Sequence, residues 1–101
     1  MDQGAETELA ALLSALFERH AAEPAVKRLR VRVRDLGPDR GDEVQQFRQL
    51  QKACRELPAL ALALRDAGFG DVAAVDARKP DPKTGALVQA FNRFIEARWE
   101  D

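Results

Sequence analysis

The sequence predicts an α+β domain. About four helices pack on a small two- or three-stranded antiparallel sheet, in the order helix, strand, helix, helix, strand, helix. Three observations predict it. Leucine and phenylalanine recur at helical spacing near both ends of the chain. Arginine alternates with aliphatic residues from Arg28 to Arg34. Gly, Pro and Asp cluster between these patterns and punctuate them.

The chain of 101 residues suits a single domain, with an ordered core expected over about 8–99. Sixteen basic and 17 acidic side chains leave a net charge of −1, which argues against a generally basic nucleic-acid binder. At 46% hydrophobic residues the chain is too apolar for a disordered segment. No apolar run is long enough to cross a membrane, and Asp2, Glu6 and Glu8 replace the basic start of a secretory signal. One cysteine excludes an internal disulfide. These features point to a cytoplasmic location, with the nucleus as an alternative. Arginine (12) outnumbers lysine (4), which suits carboxylate pairing but follows equally from a GC-rich genome.

The first helix is expected over about 6–21. Leu9, Leu12, Leu13, Leu16 and Phe17 form one stripe at i, i+3, i+4, i+7 and i+8. Ala22 to Pro24 break it. Over 27–35, Leu29, Val31 and Val33 alternate with Arg28, Arg30, Arg32 and Arg34, the period of a half-exposed strand. Gly37 to Asp42 is a loop. Asp42, with Gln45 three residues on, resembles a capping box and opens a helix over about 43–56. Residues 58–67 carry alternating leucines, yet their alanines and the following Gly68 favour a short helix. Val72 and Val75 suggest a second strand over 71–77. Asp81 and Pro82 open the last helix, over about 82–99, with Leu87, Val88, Phe91, Phe94, Ile95 and Trp99 on its apolar side.

The inventory for catalysis is poor: one His, one Cys, one Ser and no Tyr. Cys54 falls on an apolar helix side and reads as a buried structural thiol. His20 sits in the last turn of its helix, where its charge suits the dipole. Ser14 has no base at helical spacing. One His and one Cys cannot form a structural zinc site, and Asp39, Asp42 and Glu43 lack EF-hand spacing. Gly68-Phe69-Gly70 carries no phosphate-loop lysine. The expectation is a non-enzyme without metal or cofactor. Arg30, Arg32 and Arg34 would project from one strand face roughly 7 Å apart, a row able to bind phosphates or an acidic peptide. The bland alternative is a solvated face paired with Asp35, Asp39 or Glu43. Trp99 reads as the edge of the core or as an exposed partner anchor.

Pro24 and Lys27-Arg28-Leu29-Arg30-Val31-Arg32-Val33, then Ala59 to Gly68-Phe69, Val72 to Val75 and Lys79-Pro80, resemble the PUB (PUG) domain of peptide:N-glycanase-like ubiquitin-pathway cofactors. The resemblance covers about residues 8–99. It implies an adaptor that binds a short acidic, aromatic peptide, such as the C-terminal tail of the valosin-containing AAA ATPase. By position, Arg30 and Arg32 would meet acidic groups, with Arg34 extending the row, and Phe47 and Leu50 would line the groove. The sequence departs from that family at Asp35-Leu36-Gly37, where the family carries an Asn, and in lacking tyrosine. Leu57-Pro58 through Arg78-Lys79, with a closing helix that ends at Trp99, also resembles the helical N-terminal domain of transcription elongation factors. That domain is all helical, and the Lys27–Asp35 strand speaks against it. The function expected is therefore a peptide-binding adaptor. The alternatives are a transcription-associated helical scaffold, and a small homodimer or partner subunit joined through the last helix.

Overall fold

Pro24, whose ring presets a helical φ, stands at the first position of a helix, not before a strand. The computed structural model describes the backbone of residues 2–36 and 42–99, and the side chains of 9, 11–36, 42–97 and 99. Over the described residues the chain is all helical: α1 (Asp2–Arg19), α2 (Pro24–Asp35), α3 (Glu43–Glu56), α4 (Pro58–Leu64) and α5 (Pro82–Arg98). No strand occurs among them. The expected α+β class, its small sheet and the strand–helix order are thereby corrected.

The correction turns on α2. A strand would bury Leu29, Val31 and Val33 together. The structure buries Ala25, Val26, Leu29 and Val33 and leaves Val31 44% exposed. That spacing is one helical face. The two periods share Leu29 and Val33, and Val26 is the residue that separates them. Arginine costs little in a helix, and the modest penalty of valine is outweighed by its burial.

The second expected strand, over 71–77, is a loop. With no neighbouring strand, its carbonyls find donors on α3. Gln51, itself buried, donates from Nε2 to the Val72 carbonyl at 3.0 Å and to the Val75 carbonyl at 2.6 Å. Arg55 Nη2 donates to the Ala73 carbonyl at 3.0 Å. Val72 and Ala77 are buried beneath these bonds.

The helix boundaries follow the expected chemistry. The Asp42 carboxylate accepts from the Gln45 amide at 2.8 Å. Asp81 accepts from the Thr84 amide and hydroxyl, each at 2.9 Å. Pro58 and Pro82 occupy first turns. A wide turn over 65–69 extends α4 and breaks from helical geometry at Gly68, whose φ of +99° lies in the left-handed region. The expected loop over 37–41 lies outside the described residues.

One core joins all five helices, with Leu13, Leu29, Phe47, Leu50, Leu60, Leu87, Phe91 and Ile95 wholly buried. At one end of it Phe17, Phe91, Phe94 and Trp99 gather with ring centroids 5.0 to 6.4 Å apart. Those are favourable aromatic distances.

Candidate functional site

Of the aromatic cluster, Phe17, Phe91 and Phe94 are buried and Trp99 is half-buried. Where the C-terminal ends of α1 and α5 pass the first turn of α2, an open groove of about 470 Å³ remains. Trp99 supplies the exposed apolar surface over a floor of buried Phe17, Val26 and Phe94; Ser14, Glu18, Lys27 and Arg30 supply its polar groups. Each comes from a helix that must present it there. Phe17 closes the apolar stripe of α1. Phe94 ends a stripe of α5 that also holds Phe91. Trp99 follows the last turn of α5, with its amide bonded to the Ile95 carbonyl at 2.9 Å. Lys27 and Arg30 are one turn apart on α2 and both are exposed.

α2 is held in register from its other side. Glu56, at the end of α3, accepts from Arg28 Nη2 at 2.6 Å and Nε at 2.8 Å, and from Arg32 Nη2 at 3.3 Å. The Arg28 hydrogen bond is the largest effect; with the lesser help of the charges of Arg28, Arg32 and Lys52 it holds the Glu56 carboxyl below its usual range against the opposing effect of burial. The helix therefore sorts its arginines. Arg28 and Arg32 face α3, whereas Lys27, Arg30 and Arg34 form a free-standing row at i, i+3 and i+7 on exposed surface.

This arrangement divides the expected site residues. Arg30 borders the groove. Arg34 continues its row one turn on. Arg32 is committed to Glu56 and its Nε is buried without a hydrogen-bond partner, so it is not a free recognition group. The expectation that Phe47 and Leu50 line a groove is corrected: both are wholly buried in the core. Asp35, Asp39 and Glu43, expected as partners of the arginines, do not hold that role among the described residues. Glu56 does, and Asp39 lies outside them.

Phe17, Val26, Lys27, Phe94 and Trp99 were not grouped from sequence. Two signals were available: a bulky aromatic at the end of each apolar stripe, and a Trp at the helix terminus. Neither shows that α1 and α5 end side by side.

Other candidate groups have structural surroundings. Burial pushes the Cys54 thiol up to about 12, despite the lowering effect of Arg55, so it is no nucleophile near neutrality. No group of three potential metal ligands occurs among the described residues. Among the described residues no helix is long and apolar enough to cross a membrane. Comparison of the chain with family models, curated proteins and solved structures gave no match.

Proposed function

We propose that the protein is a non-enzymatic docking module for a short acidic peptide segment with an aromatic or large aliphatic anchor. The single observation that carries this is the groove itself. The half-buried Trp99 ring, backed by the buried Phe17 and Phe94, lies beside Lys27 and Arg30. The apolar surface suits an anchor side chain, since buried aromatic anchors dominate peptide recognition. The two cations outweigh Glu18 at the rim and attract carboxylates. Arg34 prolongs the positive row along α2, so acidic residues flanking the anchor have a track to follow.

This keeps the ligand class implied by the PUB-like residues and moves it to a different surface. The strand on which that resemblance rested is α2. The tail of an AAA ATPase remains one peptide of the class to try.

A second reading concerns the setting, a transcription-associated helical scaffold. One observation favours it: the strand that spoke against an all-helical domain is a helix. Leu57-Pro58 then opens α4, Arg78-Lys79 precedes α5, and Trp99 ends it.

Trp99 is the only tryptophan and there is no tyrosine, so intrinsic emission reports the groove directly. Titration with an acidic, phenylalanine-bearing peptide is expected to shift that emission saturably, and rising salt to weaken the response. No emission change and no calorimetric heat up to millimolar peptide would contradict the proposal.

A further inference from the structure

A second opening lies between α1 and α4. Leu12, Ala15, Leu16 and Arg19 form one wall at i, i+3, i+4 and i+7, and Ala63, Asp66 and Ala67 form the other. The gap holds about 250 Å³. Leu12 on this wall is 42% exposed; Leu62, which lines the neighbouring face of α4 with Pro58 and Arg65, is 56% exposed. These are two of the three large hydrophobics exposed among the described residues. An exposed apolar patch rimmed by polar groups marks an interaction surface.

The charges say what fits. Arg19 and Asp66 stand on opposite walls, and neither has an ion-pair partner within the chain among the described residues. The patch is thus apolar, with one cation on one side and one anion on the other. A two-fold contact brings a patch against itself, so residues on opposite sides of the axis meet. A patch of one sign, such as the α2 row, would repel its copy. This one attracts it.

We propose that the α1–α4 face docks a second copy of this chain as a two-fold dimer. Leu12 of each copy covers the gap of the other, Leu62 packs at its margin, and Arg19 of one meets Asp66 of the other. The patch is small beside the ~800 Å² per partner of a standard interface. The dimer is accordingly weak, with a dissociation constant on the order of 0.1–1 mM.

The test is analytical ultracentrifugation of the full chain from about 20 μM to 2 mM, concentrations that bracket this constant. Circular dichroism first establishes that each variant is folded. The wild type is expected to pass from monomer to dimer. Leu12→Ser with Leu62→Ser should abolish the transition. Arg19→Asp and Asp66→Arg should each weaken it roughly tenfold, because each sets like charges together twice. An equimolar mixture of these two single variants should recover it, since every pair across the axis is then of opposite sign. A purely structural role of either residue gives no such recovery. A wild type that stays monomeric throughout would overturn the proposal, as would dimerisation indifferent to all four substitutions. A monomer whose Leu12 and Leu62 methyl resonances move on adding the acidic, phenylalanine-bearing peptide would overturn it in favour of a peptide occupant.

Discussion

Arg28 of α2 and Glu56 of α3 are joined by two contacts to one carboxylate oxygen, at 2.6 and 2.8 Å. The pair ties together two helices that are sequence neighbours across the 37–41 segment. Burial of Val26, Leu29 and Val33 sets which side of α2 turns outward, and the pair fastens the helix in that orientation, with Lys27 and Arg30 exposed. Because Arg28 holds the Glu56 carboxyl below its ordinary range, the pair stabilises the fold above the unfolded pKa, and that contribution is lost as pH falls through the folded one. Glu56→Gln is therefore expected to lower stability at pH 7 by less than about 1 kcal/mol, the range for exposed pairs. The difference from wild type should fade in acid below the ordinary carboxylate range. Urea unfolding at stepped pH values measures it.

The loop before α5 depends on one side chain. Gln51→Leu removes the donor for the Val72 and Val75 carbonyls, and leaves the buried Val72 carbonyl without it. An orphaned buried acceptor costs about 1–3 kcal/mol. The expected outcome is a lower urea midpoint and faster proteolysis within 70–81.

How far the sequence reveals this molecule is clearest at Val26, Val31 and Gln51. The helix α1 is legible from its apolar period, α3 and α5 from period and cap together, as at Asp42–Gln45 and Asp81, and α4 from its alanines and Gly68 against alternating leucines. α2 is not, because Arg28 to Arg34 satisfies period 2 perfectly, and only Val26 and Pro24 vote for a helix. Val72 and Val75 look like strand residues, but nothing local shows that Gln51 substitutes for a partner strand. The groove is less legible still. It arises where α1 and α5 end together, a tertiary fact that no local pattern carries. Arg30 is legible by its charge alone, whereas Phe47 and Leu50, placed on a groove only by position in the PUB-like resemblance, lie on the apolar side of α3 that packs into the core.

Cys54 lies buried with its thiol pushed up to about 12. The folded chain keeps a proton that the unfolded chain loses above its ordinary thiol pKa, so this group lowers stability progressively as pH rises from about 9 toward 12. A thiol reagent such as Ellman's is expected to leave the native protein untouched at pH 8 and to react at once in denaturant. Rapid native labelling would contradict the burial.

Leu13 and Phe91 are wholly buried on α1 and α5. Leu13→Asp and Phe91→Asp should each unfold the domain by placing an unpaired charge in the core. Phe91→Ala, which removes volume without charge, should cost about 3–5 kcal/mol. Thermal melts followed by circular dichroism distinguish these cases.

The arginines of α2 should divide by role. Lys27→Ala and Arg30→Ala are expected to weaken peptide binding about tenfold together, with little change in stability. Arg32→Ala should do the reverse, loosening the α2–α3 contact and leaving affinity near wild type. Paired calorimetry and urea melts separate the two effects.

The measurement that bears most directly on the central claim is backbone and indole amide shift mapping with an acidic, phenylalanine-bearing peptide. The expected result is a contiguous set of perturbations at Phe17, Lys27, Arg30, Phe94 and the Trp99 indole, abolished by Lys27→Ala with Arg30→Ala. Binding that leaves Trp99 and Arg30 unmoved, or no binding at millimolar peptide, would contradict the account.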